Sequence, residues 1–217
     1  MRMLNNIQLS PHFSLLELTE SATARQRDIA NIPPPEAVEN LKRLCKGTLE
    51  PLRKALGLPV IITSGYRCKE LNNIVNRSSK TSQHMQGCAA DFYVSSAGSM
   101  RQSRGSKFSD LKVQSDLKVD DNGLRPVQGS TGFAQVKVQC GKAAVQGSKV
   151  LGRRELLIMG FRLIILNEDI DYDQLILYPT FIHVSYVSRS KNRRKIIKAN
   201  GHGAYCTVTR EAALCLS

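Results

Sequence analysis

Apolar positions recur at helical spacing through the first quarter of the chain and then give way to short strand-like runs. "FSLLELTESATARQR" places Glu17 three residues after Ser14, which predicts a capped helix start. Pro33 to Pro35 of "NIPPPEAVENLKRLCK" break that helix and start a second, with Ala37, Leu41 and Leu44 near one face. "TLEPLRKALGLP" predicts a third helical piece, closed by Gly57 and Pro59. The period then changes. "PVIITSGYR" has the β-branched run of a strand, ended at Gly65. "KELNNIVN" predicts a short helix, "RSSKTSQHMQG" a polar loop, and "CAADFYV" a short buried strand. The single charge of that strand, Asp91, falls on the face of Tyr93 by alternation.

From about Ser95 the texture becomes rich in Ser, Gly, Gln and Lys, with small repeats: "LKV" at Leu111 and Leu117, "VQGS" at Val127 and Val145. Residues 95–150 read as an insertion, either a small β module with a "DDNG" hairpin turn or a largely disordered segment. Core patterning resumes in "RRELLIMGFRLIIL", apolar almost all round, which predicts a buried helix with Gly160 as its point of interruption. "DQLILYP" and "FIHVSYV" follow as two strands parted by Pro179, with His183 on the face of Ser185 and opposite Ile182 and Val184. The expected architecture is α+β: a small antiparallel sheet packed with N-terminal helices. Residues 1–94 and 151–200 would form one discontinuous domain, and 201–217 a C-terminal tail.

The chain's 217 residues suffice for one domain with a core and an insertion. No apolar run is long enough to span a membrane. The N-terminus lacks the apolar stretch of a signal peptide, so synthesis in the cytoplasm is expected. A formal net charge of +13 favours anionic partners such as an acidic cell-wall surface. Its densest part, "SRSKNRRKIIK", reads either as a solvated helix face or as a binding patch. Charge alone does not specify nucleic acid, because no nucleic-acid motif or aromatic stacking pattern accompanies it. Six cysteines without a CxxC pair predict reduced, mostly buried thiols, and "HGAYC" supplies only half of a metal site.

The chemistry concentrates in "SGYRCKELNNIVNRSSKTSQHMQGCAADFYV" and "FIHVSYV". His84 in the loop and Asp91 on the following strand converge if the loop folds back, and His183 is the other histidine embedded in a strand pattern. Two imidazoles and a carboxylate make a three-ligand set for Zn2+, with the fourth position free for water whose pKa falls toward about 7. By spacing alone, a hydrogen-bonded strand histidine and an aspartate cap are the commoner readings, because HxxxxxxD is a loose pattern.

"TSQHMQGCAADF" resembles the SxHxxGxAxD motif of zinc D-Ala-D-Ala carboxypeptidases, a group that shares its metal site with lysostaphin-type peptidases and the hedgehog fold. The resemblance extends through "FSLLELTES", "NIPPPEAVENLKRLCKGTLEPLRKALGLPVIITSGYRCKELN" and "DYDQLILYPTFIHVSYV", over roughly residues 9 to 94 and 152 to 198. It is nearest to the phage and prophage branch. The resemblance implies a hedgehog-like sheet carrying zinc, with His84, Asp91 and His183 as metal ligands. It also implies that Arg67 meets the substrate, in keeping with a guanidinium fork suited to a carboxylate. Ser82 would bond substrate or fix the loop, Gln83 has a lesser claim, and Gly87 would allow the turn between ligands. The expected substrates are peptide stems of peptidoglycan, and the expected place of action is the bacterial cell wall.

This chain departs from the family where a general base is expected. Relatives carry an acid or histidine shortly before the last ligand, where this chain has Thr180 and Phe181. Many also carry Glu where it has Tyr178. Asp173 is the nearest acid, and Tyr178 offers a hydrogen bond to a developing oxyanion. The alternative to a peptidase is a catalytically weak or inactive, zinc-stabilised module that binds cell wall or a phage structural protein.

Overall fold

The computed structural model describes residues 7–75, 79–96, 151–200 and 204–216. The candidate repeats, the "DDNG" turn, Cys140 and His202 lie outside the described residues. A two-stranded hairpin of β1 (Gln8–Ser10) and β2 (Phe13–Ser14) leads into α1 (Leu15–Thr19). The Ser14 hydroxyl accepts from the Glu17 N–H at 3.2 Å, as the capping pattern predicts. The expected single helix is two. Ser21 caps a new one, α2 (Ala22–Gln26), by accepting from the Ala24 N–H.

The second and third expected helices are one continuous run. α3 (Pro35–Leu44) passes through a π-helical turn, Cys45–Leu49, into α4 (Glu50–Leu56), which ends at Gly57 in the left-handed region, φ 62°. Ala37, Leu41 and Leu44 are buried as their spacing requires. A side chain at Gly47 in the π turn would strike the Tyr186 ring.

The main sheet has six strands in the order β3-β4-β6-β5-β7-β8: β3 (Val60–Ser64), β4 (Ala89–Val94), β5 (Gln174–Leu177), β6 (Ile182–Ser185), β7 (Lys195–Ala199) and β8 (Tyr205–Thr207). It is larger than the small antiparallel sheet expected, and mixed, because β7 runs parallel to β5. The basic run is not a helix. Ile196 and Ile197 are buried between its lysines, and that pair of apolar residues makes it a strand. The segment after 200 also joins the fold. β8 pairs with β7, and α7 (Arg210–Leu214) buries Ala213.

One sheet face carries the main core. Ala90, Phe92, Val94, Leu175, Leu177, Ile182 and Val184 pack there with α3, α4 and α6 (Arg153–Leu166). α6 is uninterrupted. Gly160 lets it approach the sheet closely, since a Cβ there would lie 2.8 Å from Val94 Cγ2. The other face carries Asp91, His183 and a small apolar layer of Ile176, Ile197 and Ala199. Cys45 and Cys88 are buried, whereas Cys206 and Cys215 are exposed and all five described cysteines are free thiols. No described helix is long and apolar enough to cross a membrane.

Candidate metal centre

The site is built on a register. Ser64, Asp91, His183, Ile176 and Ile197 are successive cross-strand partners from β3 to β7. Directly opposed residues on neighbouring strands point to the same face with their Cβ atoms about 5 Å apart. Pairing Asp91 with His183 therefore brings two polar groups together on the face away from the main core. His183 Nδ1 lies 2.7 Å from Asp91 Oδ1.

His84 arrives from outside the sheet. α5 (Lys69–Ile74) leads to a 3₁₀ turn, Gln83–Gln86, inside the segment expected to be loop. Ser82 caps that turn, its hydroxyl accepting from the His84 N–H at 3.4 Å. Gly87 closes it at φ 71°, and a Cβ there would run into the Ala37 carbonyl oxygen. The "SGYR" turn is clamped from the other side. Tyr66 N–H donates to the Leu18 carbonyl at 2.7 Å, and a Cβ on Gly65 would strike that same carbonyl. Asn31, unmarked in the sequence reading, stitches the turn in place by donating to the Thr19 and Tyr66 carbonyls and accepting from the Cys68 N–H.

The clamped turn orients His84. The His84 ring is 2% exposed, and its Nδ1 lies 2.7 Å from the Gly65 carbonyl. A carbonyl only accepts, so Nδ1 carries the proton and the Nε2 lone pair points into the site. Nε2 lies 3.2 Å from His183 Nδ1 and 3.4 Å from Asp91 Oδ1. The three atoms thus form a triangle of sides 2.7, 3.2 and 3.4 Å. Zinc bonds of about 2.0–2.1 Å in a tetrahedron place donors ~3.3 Å apart. Two sides of the triangle are close to that spacing, and the shorter 2.7 Å side, between His183 and Asp91, has the length of a hydrogen bond.

Charge bears on the site as well. Burial pulls the His84 imidazole below its ordinary pKa, outweighing the attraction of Asp91, and keeps it neutral. Burial opposes the charge of Asp91, but His84 and His183 overcome it and hold the carboxyl well below its usual range. A neutral His84 imidazole and an ionised Asp91 are protonation states a divalent cation requires. Among the described residues, this is the group of His, Cys, Asp or Glu side chains whose donor atoms converge on a metal-sized space.

The scan of known families finds a match to Peptidase M15 over residues 11–116. Over that span, just under half of its length, the chain is similar to the M15 zinc D-Ala-D-Ala carboxypeptidase-type peptidases. M15 peptidases are typically zinc-dependent, and the His84, Asp91 and His183 group could hold such a metal. The M15 match covers Arg67, Ser82, His84 and Asp91 and stops short of His183. The third corner of the triangle comes from the sheet register alone. No curated protein and no solved structure gives a match.

Arg67 stands beside the triangle. Its N–H donates to the His84 carbonyl at 3.1 Å. Its Nε is buried without a hydrogen-bond partner among the described residues. Burial lowers the guanidinium pKa, against the pull of Asp91 and Tyr178, which places all three groups within electrostatic reach. Tyr178 is pushed up by burial and by the Tyr205 hydroxyl, so it stays a protonated donor.

Asp173 is committed elsewhere. Oδ1 accepts from the Arg193 N–H and Nε at 2.9 Å each, and Oδ2 accepts from Arg193 Nη2 at 2.5 Å and Gln83 Nε2 at 2.9 Å. Although Asp173 is almost fully buried, which disfavours its charge, these bonds lower its pKa to about 2. A carboxylate so bound is a poor acceptor for a water's proton near neutral pH. The catalytic role read for Asp173 in the sequence gives way to a structural one: it braces, through Gln83, the turn that bears His84. Arg193 was hidden in the basic run, where nothing in the local pattern marks one arginine out from its neighbours.

Proposed function

We propose that the chain is a zinc peptidase that hydrolyses peptide stems of bacterial peptidoglycan, at a D-Ala-D-Ala bond or one near it. Its place of action is the cell wall, as in phage or prophage release. The observation that carries this reading is the triangle of His84 Nε2, Asp91 Oδ1 and His183 Nδ1 beside the unpartnered Arg67 Nε. Zinc held by these three residues supplies Lewis acidity and an acidified water. The protein's own contribution is orientation and charge. Gly65 fixes the His84 tautomer, and Asp91 stays anionic between two rings. Arg67 offers its guanidinium fork to a substrate carboxylate or carbonyl, and Tyr178 offers an O–H to the oxygen on which charge builds. The net charge of +13 suits a polyanionic wall.

A second reading has a specific observation in its favour. Asp173 is sealed by Arg193, and Thr180 and Phe181 stand where relatives carry a base. A zinc-stabilised module that binds cell wall or a phage structural protein without cleaving fits those facts. Metal analysis and product analysis separate the two. The peptidase reading expects about one zinc per chain and release of D-Ala or new amino groups from purified muropeptides, both lost in His84→Ala. Binding without release supports the second reading. Absence of zinc after reconstitution ends the first.

A further inference from the structure

β5, β7 and β8 bring two tyrosines together on the face that carries Asp91 and His183. Tyr178 follows β5, stacks on Phe181 with ring centroids 4.3 Å apart, and packs on Ile176, Ile197 and Ala199. Tyr205 opens β8 and is 55% exposed, high for so large a ring. Their strands do not touch. β7 lies between them, and at this level it contributes Ala199, the register partner of Tyr205. Because Ala199 carries only a methyl group, the rings meet above it edge-on, with centroids 6.2 Å apart at 87°. The two hydroxyl oxygens lie 3.3 Å apart.

A phenol has one proton to donate and two lone pairs to accept with. In a hydroxyl pair one member donates, and the other keeps its proton for a third group. Tyr178 is the member within electrostatic reach of Asp91 and Arg67, whereas Tyr205 stands toward solvent. We propose that Tyr205 is a positioning residue for the reaction. Without substrate the Tyr178 O–H donates to the Tyr205 oxygen; once substrate is bound the pair reverses, the Tyr205 O–H donating to the Tyr178 oxygen and freeing the Tyr178 O–H for the peptide group bound between Arg67 and the His84–Asp91–His183 triangle. There that proton bonds the substrate carbonyl oxygen as negative charge grows on it. Accepting one hydrogen bond also strengthens the donation of the next. This inference rests on the peptidase reading and extends its site to the last strand of the sheet.

Tyr205→Phe keeps the ring and its edge contact and removes only the oxygen. It is expected to lower kcat about fivefold with KM unchanged, as for a bond that matters in the transition state. Tyr178→Phe is expected to lower kcat by about 100-fold, and the double variant to be no worse than Tyr178→Phe alone. Additive effects in the double variant overturn the proposal, as does a Tyr205→Phe change confined to KM. A second readout needs no turnover. In protein carrying ¹³C at tyrosine Cζ, the Tyr178 resonance shifts in Tyr205→Phe when the hydroxyls are bonded, and an unmoved resonance overturns the proposal. Failure of the peptidase reading looks different: a wild-type chain that holds no zinc and cleaves no stem peptide, with which the role of Tyr205 also falls. An active, zinc-holding wild type with an additive double variant sinks the Tyr205 role alone.

Discussion

Asp91 and Asp173 belong to neighbouring parts of one sheet, and both are held as anions, but by opposite means. Asp91 shares one oxygen between two imidazoles, neither of them a fixed charge. Asp173 has both oxygens filled by Arg193 and Gln83, and Arg193 is a permanent cation. The first arrangement leaves a negative site that a divalent cation could complete. The second is complete already and joins three segments, β5, the approach to β7 and the turn of His84. A depressed carboxylate pKa is thus a poor guide to function until the identity of its partners is known. A histidine partner can turn its lone pair to a metal, and an arginine cannot.

Substitutions that break this contrast are expected to separate binding from stability. The largest effect belongs to Asp91→Asn. It removes the anion from the triangle, and metal affinity should fall by more than the roughly 10–100-fold typical of residues that only support a ligand. Zinc titration with a competing chelator measures this. An affinity within tenfold of wild type would mean that Asp91 is not a ligand.

Asp173→Asn is expected to do the reverse, costing stability on the order of 2 kcal/mol while one zinc per chain is retained. The exposed side of Arg193 keeps the cost below that of a fully buried pair. The pH dependence sharpens the distinction. The folded pKa of Asp173, about 2, lies below the unfolded value of about 3.9. The pair's contribution is therefore present above about pH 4 and is lost as pH falls through 4 toward 2. Denaturant melts of Asp173→Asn should show a shallower loss of stability across that interval than wild type. Equal slopes would remove the ion pair from the account.

Ser82→Ala is the smallest expected change. It removes a cap of the 3₁₀ turn and should cost about 1 kcal/mol, with peptide KM unchanged because the hydroxyl faces the His84 N–H. A raised KM would restore the substrate-binding role for Ser82.

His84 and Asp91 were legible because they lie close in sequence and the turn between them is closed by a glycine that the geometry needs. His183 was legible through alternation, which sets its face but not its partner. Pairing between distant strands leaves no local trace, so the parallel contact of β5 with β7 was hidden. β8 is three exposed residues with no period to read, and Tyr205 was lost with it. The π-helical turn escaped because "CKGTL" continues a helical pattern, and only Tyr186, far along the chain, shows why Gly47 must be small. For β7, four cations around two isoleucines resembled a solvated helix face.

The separation of the triangle's corners along the chain bears on when it can form. Asp91 and His183 are 92 positions apart, and His84 and His183 are 99 apart. A chain emerging from the ribosome presents its first two donors long before the third, and two donors alone make a weak, incomplete set. Loop closure grows only with the logarithm of length, about 0.6 kcal/mol per doubling, so the long interval delays the third donor without greatly weakening the finished site. Tight zinc uptake would then mark the docking of β6 between β4 and β5, and metal loading would report that the second half of the sheet has assembled.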